Sequence, residues 1–168
     1  MTKTISALAA VLVVCFLAVA TPKPNFNGAW VMDRARSFGL PGDMQQTMTV
    51  TQTEDQIEVE TRLSQPGNER TVKDTYVLDG KEHEFTPPAP VNASPNTPPV
   101  RGKRKANWLP DGISLVVNEV TTAETPKGPA TTQVTKKWSF TGDGELTIAL
   151  YVDAPTVSYE AKRIFTRK

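Results

Sequence analysis

Apolar and polar residues alternate with a period of two along most of the chain. In 56–63, Ile57, Val59, Thr61 and Leu63 fall on one face, and Glu58, Glu60 and Arg62 on the other. A helical period would mix these two sets, so the segment is predicted to be a half-buried strand. The same alternation runs through Met48 and Val50, then Ile113, Leu115 and Val117. It returns in Leu146, Ile148, Leu150 and Val152, and again in Val157, Tyr159, Ala161 and Phe165. Turn signals at Glu54-Asp55, Asp79-Gly80, Pro110-Asp111-Gly112 and Gly142-Asp143-Gly144 separate the runs. The strands are predicted near 27–33, 44–52, 56–63, 70–78, 81–85, 102–109, 113–122, 131–140, 145–152 and 157–166.

Strands joined by short links pair antiparallel. The prediction is an all-β, up-and-down meander of about eight to ten strands, folded as a sandwich or closed as a barrel. Loop lengths favour the barrel. Counted from the first strand, the even connections are tight and the odd ones, 34–43, 64–69, 86–101, 123–130 and 153–156, are long. An up-and-down barrel collects these at opposite ends, giving one tight end and one loopy end.

Two segments stand outside this pattern. Residues 1–20 combine Lys3, an apolar run from Ile5 to Val19 and an Ala18-Val19-Ala20 site. That layout is a secretory signal peptide, and the run is short of the ~20 residues that span a bilayer. Cleavage is expected after Ala20, leaving 21–168 as a single domain that is exported, periplasmic or extracellular, with no membrane span. The only Cys, Cys15, leaves with the leader. The other segment, 86–101, is Pro-rich and reads as a loop, because Pro removes ladder donors.

Composition narrows the function classes. Nineteen basic residues against 18 acidic give a net charge of +1, which offers no general grip on nucleic acid. One Cys and one His exclude a Cys-cluster or His-rich metal centre. Nucleophile-elbow, P-loop and dinucleotide motifs are all missing. We therefore expect no catalytic residues, no metal and no cofactor. His83 sits between Glu82 and Glu84 on a strand, where neighbours point to opposite faces, so it reads as an exposed His. Arg101, Lys103, Arg104 and Lys105 read as a solvated strand edge.

The first strand of the domain contains Phe26-Asn27-Gly28-Ala29-Trp30. This Gly-x-Trp resembles the signature of lipocalins and wider calycins. With Leu78-Asp79-Gly80-Lys81-Glu82 and the hairpins after Trp108 and Trp138, the chain resembles uncharacterised secreted bacterial proteins with a lipocalin-like domain. The resemblance implies closure of the barrel around Gly28 and Trp30, with a basic residue of the last strand, Arg163 or Arg167, packed across the indole.

A barrel of this size is either filled by side chains or holds one small ligand. We expect a small apolar or amphipathic ligand inside, with Tyr76, Trp108, Trp138, Tyr151 and Tyr159 as wall residues. The alternative is a filled-core structural or interaction module that uses its loops on a partner.

Overall fold

The computed structural model describes residues 22–39, 42–88, 100–126 and 128–168. The leader, Cys15 and most of the Pro-rich loop lie outside the described residues. Ten strands follow one another: β1 (Gly28–Met32), β2 (Gln45–Gln52), β3 (Gln56–Gln65), β4 (Asn68–Val77), β5 (Glu82–Phe85), β6 (Arg101–Trp108), β7 (Leu115–Thr125), β8 (Gly128–Phe140), β9 (Leu146–Ala154) and β10 (Val157–Arg167). No helix occurs among the described residues. All ten strands form one antiparallel sheet in the order β4-β3-β2-β1-β10-β9-β8-β7-β6-β5. The strands form the up-and-down meander that the alternation and short links predict, and the sheet curls into a nearly closed barrel.

The parity of loop lengths does not hold. Strands β3 and β4 meet through Pro66-Gly67, β9 and β10 through Pro155-Thr156, and β7 reaches β8 between Thr125 and Gly128. Ladder hydrogen bonds need no burial, so pairing runs on through Thr, Ser and Gln after the apolar alternation fades. Among the odd connections, only β1–β2 and β5–β6 are long. The barrel therefore has a base, where β1 begins and β10 ends, and an upper end where long hairpins project.

The base is packed solid. Phe26, just before β1, is fully buried. Its ring lies 5.8 Å from Trp108, 5.7 Å from Trp138 and 5.1 Å from Phe140. Trp30, Ile57, Leu115, Leu146 and Phe165 complete this core. Apolar burial at ~25 cal/mol per Å² makes such a cluster the main stabilising element of the fold.

Strands β1 and β10 pair with Trp30 opposite Arg167. The Arg167 guanidinium lies 4.6 Å from the Trp30 ring centre, and its Nη1 donates to the Asn27 carbonyl at 2.8 Å. Gly28 explains the first letter of the Gly-x-Trp pattern. Its φ is 135°, and a Cβ there would meet Arg167 Nη1 at 2.7 Å. Arg163 takes no part in this contact. Its register partner is Ile148, deeper in the barrel.

The barrel is not closed by hydrogen bonds all the way round. Strands β4 and β5 follow each other in sequence but do not pair, leaving a seam between β4 and the β5–β6 side. Side chains span this seam, and they also form part of the interior site.

Candidate functional site

Register fixes which side chains look inward in the upper half. Arg104 pairs with Glu119, Val117 with Lys136, and Asp74 with Val59, all on the core-facing side. The expectation of a solvated edge is thus corrected for Arg104, which is only 6% exposed. Lys103 and Lys105 alternate to the outside, where Lys103 meets Glu82 at 3.5 Å.

Arg104 is the clasp of the seam. Its Nε donates to Glu119 at 2.8 Å, its Nη2 to Asp74 at 2.6 Å, and its Nη1 to the Thr75 carbonyl at 3.2 Å. The guanidinium is held between two rings, 4.0 Å from the Phe85 centre and 4.7 Å from that of Tyr76. Gly102 makes room for this arrangement, since a Cβ there would come within 2.5 Å of the Phe85 ring. One residue of β6 thereby grips β4, β5 and β7 together.

Lys136 extends the cluster, donating to Glu119 at 2.9 Å and to the Tyr76 hydroxyl at 3.3 Å. Burial opposes the charge on both cations. Glu119, Tyr76 and Asp74 outweigh that penalty, so Arg104 and Lys136 both hold their protons more tightly than usual. Burial pushes the Tyr76 phenol upward, against the pull of Lys136.

Beside this cluster is an interior cavity of about 240 Å³. Met48, Val59, Leu63, Val72, Ile148 and Leu150 give it apolar walls, and Gln46, Arg70, Lys136 and Arg163 add polar ones. Pro88, near the start of the Pro-rich segment, also borders it. Three buried polar atoms on lining residues have no hydrogen-bond partner: Gln46 Oε1, Trp138 Nε1 and Arg163 Nε. Larger grooves beside Lys103 and beside Tyr151 are lined largely by exposed Glu, Lys, Thr and Gln at the rim or on the outer wall.

The expected wall residues separate. Tyr76 and Trp138 border the cavity. Trp108 does not, because it stacks on Phe26 in the base. Tyr151 is on the outer wall and 48% exposed, since Leu150 and Val152 take the inward positions of β9. Tyr159 shares the inward side of β10 with Ala161 and Arg163 by register. It lies on the projecting hairpin, outside the cavity lining, and is also 48% exposed. Sequence reading missed Arg104, Lys136 and Asp74. Their inward register was available from the strand alternation, but a polar residue does not announce which face is buried.

His83 is half-exposed, and its Nε2 lies 2.9 Å from Asp79 Oδ1. That contact, together with the Lys81 amide, lowers the Asp79 pKa. The flanking Glu82 and Glu84 take no part. No group of His, Cys, Asp and Glu among the described residues is arranged to hold a metal ion.

Fold and site together define a ten-stranded antiparallel barrel with a packed base and a charged, hollow upper half. No protein-family model matches the chain, and no curated protein matches it. Among solved structures it is similar to secretory abundant heat soluble protein 4 from Ramazzottius varieornatus. The identity is 17% and the TM-score 0.44, covering 84% of this chain and 94% of that one.

Proposed function

We propose that the protein is an exported, lipocalin-like carrier that binds one small amphipathic molecule inside the barrel and catalyses no reaction on it. The observation that carries this reading is the interior cavity, where the apolar walls of Met48, Val59, Leu63, Val72, Ile148 and Leu150 meet polar groups on Gln46, Arg70 and Arg163. Apolar ligand surface buried against such walls contributes ~25 cal/mol per Å². Drug-sized sites usually occupy ~300–1,000 Å³, so this smaller cavity suits a slender ligand. The leader-like segment 1–20 supports export. The outer wall supports an aqueous setting over a lipid-facing one, since Glu58, Glu60, Lys73 and Lys137 all face outward and are exposed.

Titration with Nile red, a neutral hydrophobic fluorophore, tests the reading. We expect saturation at about one molecule per chain, with quenching of Trp138 emission. Leu63→Trp, which fills the cavity, is expected to abolish binding while the protein stays folded. A folded wild-type protein that binds neither Nile red nor any member of a broad lipid panel would favour the filled-core interaction module instead.

A further inference from the structure

We propose that the free edge of β4 is a self-docking surface, where a second copy of this chain pairs antiparallel across residues 69–73 about a two-fold axis at Thr71. Backbone phase shows which groups are free. Gln65 and Asn68 flank a two-residue turn as a hydrogen-bonded pair, so from Asn68 onward every second residue of β4 turns its N–H and C=O toward β3. The Leu78 amide keeps that phase, donating to the Asp55 carbonyl at 2.7 Å. Glu69, Thr71, Lys73 and Thr75 therefore turn theirs outward, into the seam. Arg104 Nη1 takes the Thr75 carbonyl at 3.2 Å. Glu69, Thr71 and Lys73 are exposed, and no strand among the described residues pairs with their edge.

The sheet has two edges, and they are unlike. Strand β5 has 4 residues and is followed by Pro87 and Pro88, and short length and Pro both keep an edge from pairing. Strand β4 has 10 residues and no Pro. Its charges complement one another under a two-fold. With Thr71 opposite Thr71 of the second copy, Glu69 lies opposite Lys73 and Lys73 opposite Glu69. In this register all the paired residues turn their backbone groups to each other, giving about six ladder hydrogen bonds. A slip of two residues either way puts Glu69 against Thr71 or Thr75 and loses both ion pairs. Pairing stops at Lys73, because Arg104 already holds the Asp74 carboxylate and the Thr75 carbonyl.

Sedimentation equilibrium of the protein tests the proposal. We expect a reversible dimer with a Kd on the order of 10–100 µM, as for a small interface made mainly by backbone. Thr71→Pro removes a donor that points away from β3, so it should weaken the dimer about tenfold or more and leave the melting temperature of dilute protein unchanged. Glu69→Lys and Lys73→Glu, each alone, set like charges opposite one another and should weaken the dimer at low salt. Within the chain these two residues meet Arg62 and Glu60 in exposed ion pairs of small energetic weight, so both variants should fold. Mixed in equal amounts, the two variants should form a heterodimer, because every cross-edge pair then joins opposite charges. Wild-type protein that stays monomeric up to about 1 mM would overturn the proposal. A dimer left intact by Thr71→Pro would overturn it too, by placing the contact elsewhere. Failure of the mixture to restore a dimer that each charge change weakens would overturn the Thr71 axis. If Thr71→Pro does not fold, the charge variants and their mixture still decide the question.

Discussion

The base and the upper half of the barrel are built from the same strands, but they are held in different ways. At the base, Phe26, Trp30, Trp138 and Phe165 are buried together, with Phe26 against the Trp138 ring, and the charged contacts, Arg167 on Trp30 and Lys23 on Trp108, lie at the rim. In the upper half, Arg104, Asp74, Glu119 and Lys136 take the place of apolar packing, and a cavity remains beside them. Apolar packing tolerates small errors and leaves no space. A polar cluster must be complete, but it spans the gap where the sheet does not pair and keeps the interior from collapsing. The difference teaches that closure of this barrel rests on two unlike devices, a ladder at β1–β10 and a side-chain clasp at the seam.

Breaking each device in turn gives the largest effects. Trp30→Ala is expected to cost about 3–5 kcal/mol, as for a buried aromatic. Arg104→Ala is expected to cost a similar ~3–5 kcal/mol, because it strands Asp74 and leaves Glu119 with Lys136 alone. Urea denaturation checks both. The two sites then diverge: exchanging the whole polar cluster for apolar residues of similar volume should bring stability back near wild type, whereas no comparable exchange rescues the base. A cost below about 1 kcal/mol for Arg104→Ala would show that the seam is held by something else.

Alkaline pH separates the halves without mutation. Lys136 and Tyr76 both have folded pKa values above their ordinary 10.5 and 10.0. Their contributions are fully present below those ordinary values. They are lost as pH rises through the folded ones, because the unfolded chain releases its protons first. Urea midpoints should therefore stay level to about pH 9 and fall above about pH 10, and Tyr76→Phe should flatten part of the slope. The aromatic core of the base holds no titrating side chain and contributes nothing to it.

The smallest effect is expected on the outer wall. Tyr151→Ser should change stability by no more than about 0.5 kcal/mol and leave Nile red binding unchanged. Loss of binding there would move the site out of the interior.

The strand pattern made the base legible. Ile57 and Val59 reveal their face by alternation, and Gly28-x-Trp30 with a basic last strand points to the contact that Arg167 makes. The same rule turns Tyr151 outward once Leu146, Ile148 and Leu150 are inward, so its place on the wall was readable, and aromatic character alone misleads. The clasp was harder to read. Arg104 shares its face of β6 with Gly102, Ala106 and Trp108, while Arg101, Lys103 and Lys105 take the other, so the register was there to read, but a cluster of four basic residues reads first as a solvated edge. Its partner Asp74 lies on a strand that does not pair with β6, a proximity created only by curling the whole sheet. The lengths of the hairpins were hidden for a related reason. Their outer portions are paired but not buried, and hydrophobic periodicity reports burial alone.

The order of the strands has a consequence for how the chain folds. Every ladder but one joins neighbours in sequence, and the exception, β1–β10, must close a loop of nearly the whole domain. Gly28 and Arg167 lie together at the base, where the Lys168 amide donates to the Ala29 carbonyl at 2.9 Å. A circular permutant that links these ends and opens the chain at Asp79-Gly80 would run β5 to β10 and then β1 to β4. Sequence order would then match spatial order throughout. The slow long-range closure would become a local hairpin, and the new termini would fall at the seam, where no ladder is lost.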